Sequence, residues 1–323
     1  AGIVAKIGGS VGFALAPDAG TTAELLYERA DYALYHAKAR CRGRPVIFYR
    51  EHEVEIRKLS TIEHTLRRID LDAELSLHYQ PIVNVGTARL VGFEALARWH
   101  NPELGDVPPD VFISVAERTE LIGTITQVLL RKALAAAHSW PEDIFLSFNL
   151  SMRDLISQVT ILQTVALIES SGIDPRRIII EVTETALMQD YEQVQDSLRT
   201  LRSMGWKVAL DDFGSGQSSL SYVHQLSLDK IKIDRGFIRN IATQENARNI
   251  VKTVIDLCRN LKFDCVVEGV ETEEQVEIID RLGCTTMQEY FFAKPMRLTE
   301  DEILIASYRM PDRPRMAAPG RTA

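Results

Sequence analysis

From Leu75 onward the chain alternates between two periodicities. Short β-prone runs near 75–83, 91–98, 144–150, 177–183, 206–212, 229–234, 264–269 and 284–291 are separated by stretches with apolar residues three and four apart. Those stretches include Gly123–His138, Asp154–Ser171, Glu192–Met204 and Asn246–Leu261. Eight strands interleaved with helices over 75–308 predict an α/β fold, a parallel (β/α)8 barrel of the TIM type, for which about 250 residues is usual. An open doubly wound sheet is the competing arrangement, but no strand is followed by G-x-G-x-x-G.

The first fifty residues follow a different plan. An apolar run at Val11–Ala16, a turn at Pro17–Gly20, a helical stretch at Thr22–Lys38 and a β-prone Pro45–Tyr49 predict strand, turn, helix and strand. That is too little chain to bury a core of its own, so it reads as the end of something larger. Residues 51–74 read as a connecting helix with one apolar stripe at Leu59, Ile62, Leu66 and Ile69. A Pro- and Arg-rich tail, 309–323, is expected to be disordered.

Composition narrows the function. With 46% hydrophobic and 25% charged residues the 323-residue chain is globular rather than disordered or collagenous. No apolar run approaches the roughly 18 residues of a membrane helix, and no signal segment opens the chain. A cytoplasmic location is expected; the start at Ala1 leaves room for a sensory or membrane-anchored part upstream. A net charge of −8 speaks against a polynucleotide partner, which needs a basic face, but not against a small anion held through metal ions. Cys41, Cys258, Cys265 and Cys284 form no C-x-x-C pair and no zinc spacing, and the seven histidines are scattered.

Candidate chemistry lies at the strand ends. Glu94, Asn149, Glu181, Asp211 with Asp212, Lys232, Glu268 and Gln288 each fall in or close a β-prone run. Polar residues often end strands because turns begin there, yet seven successive runs with mostly acidic endings exceed that habit. In a parallel barrel such ends converge on one face. Gathered carboxylates cannot all ionise without a counter-charge, and oxygen ligands without His or Cys suit Mg2+ or Mn2+. Adjacent acids such as Asp211 and Asp212 suit two ions about 3.5–4 Å apart, the arrangement for in-line attack on a phosphodiester. The residues alone therefore point to a metal-dependent phosphate-ester hydrolase.

Phe93–Trp99, read as FEALARW, resembles the signature of the EAL family of cyclic di-GMP phosphodiesterases. The resemblance runs over about 59–308, through YQPIV at 79–83, FNLS at 148–151, EVTET at 181–185, DDFGSG at 211–216, KIDRGFI at 232–238, EGVET at 268–272 and YFFAKP at 290–295. It implies a modified (β/α)8 barrel that hydrolyses cyclic di-GMP to linear pGpG with two Mg2+ or Mn2+ ions and is inhibited by Ca2+. It also implies a set of roles. Glu94, Asn149, Glu181 and Asp211 would hold the first metal, and Asp211 would bridge to a second completed by Asp212. Lys232 would contact the attacking water and the phosphate, Glu268 would serve as base or water orienter, and Gln288 would bond in the same shell. Arg98 would grip a substrate phosphate, with Gln80 and Leu96 on the substrate side. Glu184 would hold the DDFGSG loop, which in the family joins a homodimer interface to the site.

Other residues read more simply. Glu271 and Glu273 suit a helix start, Trp99 and Phe213 suit packing, and Asp234 suits a strand end. Glu289 stands where the family has glycine, so a conformational cost or an added charge beside an anionic substrate is expected to weaken turnover without abolishing it. ADYALYHAK at 30–38 resembles the last third of a GGDEF diguanylate cyclase domain, whose own signature is absent; Gly8-Gly9-Ser10 lacks its acids. Two alternatives stand beside the phosphodiesterase: a catalytically weak or inactive cyclic di-GMP receptor, and a barrel hydrolase of another phosphodiester.

Overall fold

The computed structural model describes residues 8–41, 43–184, 190–214 and 228–297, with 299 and 305. The expected disordered tail, 309–323, lies outside them. The chain divides into two compact units, Ala1–Arg68 and Ile69–Ala323.

In the first unit β1 (Val11–Phe13) and β2 (Pro45–Ile47) pair in parallel, joined by α1 (Ala23–Arg40). The sequence places each boundary. Thr22 caps α1, its side chain accepting from Leu25 N at 3.3 Å. Gly12 lets β1 lie against α1, since a Cβ there would meet Ala30 O and Leu34 N at 2.2 Å. Ala19, Ala33 and Phe48 form a small core, flanked by Leu26, Tyr32 and Val46. The helix α2 (Arg50–Leu66) completes this unit and buries Ile62 and Leu66 of the expected stripe.

The second unit is a closed eight-stranded barrel. Its strands are β3 (Leu75–Asn84), β4 (Arg89–Asn101), β6 (Phe145–Asn149), β7 (Ile178–Thr183), β8 (Lys207–Phe213), β9 (Lys230–Ile233), β10 (Asp264–Val267) and β11 (Thr286–Gln288). Spatial order runs β3-β11-β10-β9-β8-β7-β6-β4, and pairing of β3 with β4 shuts the ring. All eight strands coincide with the β-prone runs.

One expectation needs correction, because the barrel is not wholly parallel. β3 runs antiparallel to both β4 and β11. Only four residues separate β3 from β4, which suffices for a hairpin and not for a crossover helix. A short β5 (Gly105–Val107) pairs antiparallel with the end of β4, and the four-residue α3 (Leu71–Glu74) precedes β3.

The remaining helices are α4 (Pro109–Arg118), α5 (Ile122–Ala137), α6 (Met152–Ile156), α7 (Gln158–Ser171), α8 (Tyr191–Ser203), α9 (Arg235–Ile238), α10 (Glu245–Leu261) and α11 (Glu273–Leu282). The single helix expected over Asp154–Ser171 is broken at Ser157. That residue has extended backbone and accepts from Thr160 N, so it caps a fresh helix rather than continuing the old one. Thr272 and Gln275 form a capping box for α11, with Glu273 in its first turn as expected. Trp99 is buried, edge-on to Phe112, its Nε1 donating to Glu74 at 3.0 Å; Phe213 is also buried. Asp234 caps α9 through Gly236 N. Among the described residues no helix is long and apolar enough to cross a membrane.

Inside the barrel, away from the strand ends that carry the acids, Lys230 Nζ lies 4.2 Å from the centre of the Phe145 ring. Gly92 on β4 gives that ring its space, since a Cβ there would come within 2.5–2.6 Å of three ring atoms. Gly92→Ala should therefore overpack the barrel and cost about 1–3 kcal/mol in a urea unfolding midpoint, without touching the acids above it.

Candidate active site

The strand ends bring the acids together as parallel register requires. Asn149 on β6 stands opposite Glu181 on β7, and Thr183 of β7 opposite Asp211 on β8. Glu94 on β4 pairs with Gln80 on the antiparallel β3, so that strand also delivers a polar side chain. Adjacent residues of a strand normally face opposite ways. Asp211 and Asp212 escape that rule because the register with β9 slips between Leu210 and Phe213, and Asp212 takes a left-handed φ of +53°. Both carboxylates then come within 4.8 Å of each other and of Glu268, just past β10. Glu94, Glu181 and Asp211 form a second group of the same compactness.

Lys232 is the hub. Fully buried on β9, its Nζ lies 2.7 Å from Glu268, 2.8 Å from Glu181, 3.1 Å from Glu94 and 3.3 Å from Asp211. Glu94 is further held by Asn149 Nδ2 at 2.7 Å and Gln288 Nε2 at 2.6 Å, while Gln288 also donates to Gln80 Oε1 at 3.3 Å. Glu184 accepts from Gly214 N at 3.1 Å, tying the end of β7 to the turn after β8; residues 215–227 lie outside the described segments. Leu96 lines a cavity of about 430 Å³ with Gln80, Glu94, Asp212, Arg235 and Glu289. It also lines a larger one of about 1120 Å³ that runs past Asn149 and Asp211 towards Glu117 and Asp154. Arg98 follows Glu94 and Leu96 on the same face of β4, but it lines neither cavity, and its Nη1 donates to Ala97 O at 2.7 Å.

One lysine cannot satisfy five carboxylates. Burial raises Glu181 well above the ordinary carboxylate range, with Glu94 and Asp211 adding repulsion that Lys232 only partly offsets. Burial likewise pushes Glu268 to about 8, and burial with the neighbouring Asp211 pushes Asp212 to about 6. Glu94 alone goes down: burial would raise it, but Lys232 and the amides of Gln288 and Asn149 outweigh that. Lys232 itself is raised well above its usual value, the four acids overcoming its burial. An all-oxygen donor set with this unmet demand for positive charge fits hard divalent cations.

Ser147 was not foreseen, yet its hydroxyl donates to Glu181 Oε1 from inside β6. Its position two before Asn149 on one strand face was the available signal. Glu289 lines the smaller cavity, half-buried, with φ +154°. Residues with a Cβ rarely adopt such a φ, at a cost of order 1–3 kcal/mol.

The EAL domain family profile matches residues 63–295. The chain belongs to the EAL family. Among relatives of this EAL chain, the bifunctional diguanylate cyclase/cyclic di-GMP phosphodiesterase MucR of Pseudomonas aeruginosa is 34% identical over 295 residues, 90% of this chain and 43% of MucR. A solved structure, the PaMucR phosphodiesterase in complex with c-di-GMP, superposes with TM-score 0.70 at 34% identity, covering 74% of this chain and 99% of that one. Klebsiella pneumoniae BlrP1, solved as a manganese/cy-diGMP complex, is 30% identical with TM-score 0.63 over 69% of this chain and 56% of its own. The same protein is solved as a calcium/cy-diGMP complex. This EAL chain spans about 36–43% of the length of the curated relatives it matches first.

The raised acids make a sign-specific prediction. Glu268 holds its proton when folded up to about pH 8 but loses it near 4.5 when unfolded. The folded state thus binds more protons, and metal-free stability should fall as pH rises between those values. Saturating Mn2+ should flatten that fall and release protons on binding, as calorimetry in buffers of different ionisation enthalpy would detect. A metal-free midpoint that rises over this range would contradict the charge assignment.

Proposed function

We propose that this chain is a cyclic di-GMP phosphodiesterase that opens its substrate to linear pGpG with Mg2+ or Mn2+, two ions per site. What carries it is the convergence of five carboxylates around one lysine at the mouth of an EAL barrel, next to cavities large enough for a nucleotide. Glu94, Asn149, Glu181 and Asp211 would hold one ion, and Asp211 and Asp212 the other. When bound, such ions polarise the phosphate and acidify water. Glu268, which burial raises to about 8 without metal, would give up that proton as the cations bind and then take the proton of the attacking water. Lys232 keeps Glu268 oriented and offers its charge to the phosphate, and Gln288 fixes Glu94. Arg98 would swing from Ala97 O to grip a phosphate in bidentate fashion. Gln80 and Leu96 would line the bound substrate, and Glu184 would keep the turn at Gly214 in register with Asp211 and Asp212.

We further assign residues 1–50 to the end of a GGDEF-like domain, 51–74 to a connecting helix and 75–308 to the catalytic barrel. Support comes from the β1-α1-β2 unit and from MucR, a bifunctional cyclase and phosphodiesterase whose alignment must reach residues before 63 to cover 90% of this chain. We infer a homodimer in the cytoplasm, where four unpaired thiols are at home.

Incubation with cyclic di-GMP and Mg2+ or Mn2+ should yield pGpG by chromatography. Binding with no product in either metal would replace the enzyme with a receptor. Asp211→Asn should lower kcat at least about a hundredfold, since it removes the shared ligand; near-normal turnover would remove the two-metal assignment. With Ca2+, which takes looser and longer coordination, substrate should bind and barely react.

A further inference from the structure

We propose that Arg235 binds the phosphate of cyclic di-GMP that is not being cleaved. This contact deepens the phosphodiesterase reading given above and rests on it for the identity of the substrate.

Cyclic di-GMP carries two phosphates. The one under attack belongs with the metal ions and Lys232, which leaves the other to find a cation of its own. The smaller cavity repels it, because Glu94, Asp211, Asp212, Asp234, Glu268 and Glu289 all line that space. Bound ions would neutralise the acids of the two compact groups, but Asp234 and Glu289 belong to neither group. Among the residues that line this cavity Arg235 is the one cation. A phosphate placed beside Asp234 and Glu289 is tolerable only where Arg235 faces it.

The stem of Arg235 is fixed and its head is free. Arg235 opens α9, where Asp234 Oδ1 accepts from Gly236 N at 2.8 Å and Arg235 O accepts from Arg239 N at 3.1 Å. Gly269, which follows Glu268, packs against it: a Cβ on that glycine would lie 2.3 Å from Arg235 Cβ and 2.7 Å from its Cα. The backbone of Arg235 is thus set beside the strand end that carries Glu268. The residue is nevertheless exposed, and among the described residues its guanidinium makes no hydrogen bond and no ion pair. Arg98 differs, being half-buried, outside both cavities and already bonded to Ala97 O. In the ring of eight strands β9 stands opposite β4, four places away in either direction. The two arginines therefore belong to facing walls of the mouth, which suits a ligand with two phosphates. Each guanidinium fork matches a pair of phosphate oxygens.

Arg235→Ala and Arg235→Lys test the contact, with Arg98→Ala for comparison. A group remote from the reacting bond holds substrate and transition state alike, so its loss shows in KM rather than kcat. With cyclic di-GMP and Mn2+, Arg235→Ala should raise KM about tenfold, the scale of one hydrogen bond to a charged group. Arg235→Lys should recover part of that, because the charge stays and the fork is lost. Bis(p-nitrophenyl) phosphate has a single phosphate, so its kcat/KM should fall about tenfold less than that of cyclic di-GMP. Equal losses on both substrates would mean that the variant disturbs the metal ring, and the proposal fails. It fails too if KM for cyclic di-GMP is unchanged in Arg235→Ala, whether or not Arg98→Ala raises it. Calorimetric binding of cyclic di-GMP with Ca2+ separates the contact from catalysis. Wild-type protein that binds without turnover, and binds about tenfold more weakly as Arg235→Ala, would sink the enzyme assignment and leave the contact standing.

Discussion

The site depends on Lys232. Its ammonium is within ion-pair distance of four carboxylates from four different strand ends, and nothing else among the described residues brings positive charge into that ring. Burying one charge without partners would be prohibitive. Here lysine and acids make one another tolerable, and the barrel's closure makes their meeting unavoidable. The compensation is incomplete, which leaves the site with an unmet demand for positive charge. Three of the acids, Glu181, Asp211 and Glu268, are pushed upward even with Lys232 in place. A site balanced by lysine alone would have no reason to take up a divalent ion.

The fold serves this ring through two departures from a regular barrel. The antiparallel β3 places Gln80 opposite Glu94, so the seam of the barrel contributes an amide rather than another acid. Gln288, from the last strand, then joins both residues across that seam. The slipped register at the end of β8 turns two consecutive aspartates to one side. Without the slip Asp212 would face the helices and only one aspartate would remain for the site. Neither departure is an ornament of the topology, since each changes which atoms meet.

Much of this was legible from residue order. Eight β-prone runs became the eight barrel strands, and Glu94, Asn149, Glu181, Asp211, Lys232, Glu268 and Gln288 met because strand ends of a barrel have to meet. What stayed hidden was set by local competition or by long-range neighbours. Ser157 had no periodic signature that distinguished a cap from a helical serine. The antiparallel sense of β3 lay in a four-residue connection rather than in any strand. Ser147 looked like one polar residue within an apolar run, and its partner is 34 residues away. Glu289 was visible as an oddity where the family has glycine, but its positive φ of +154° and its place in the smaller cavity were set by the fold and not by the residue itself.

The contrast between Lys230 and Lys232 states the same point in its sharpest form. They are two residues apart on β9, face the same barrel interior and are both buried. Burial alone lowers a lysine pKa, and Lys230, resting on the Phe145 ring with no acid in ion-pair reach, falls to about 8. One step along the strand, four carboxylates overturn that same penalty and drive Lys232 the other way. Residue type, strand, face and burial are shared, so none of them explains the difference. Position along the barrel axis does: beside Lys230 stands only the exposed Asp264, outside ion-pair distance, whereas Lys232 lies inside the ring of buried carboxylates. The functional end of this barrel is thus an electrostatic gradient built from strand register, with Lys232 at the point where the gradient reverses the ordinary cost of burying a charge.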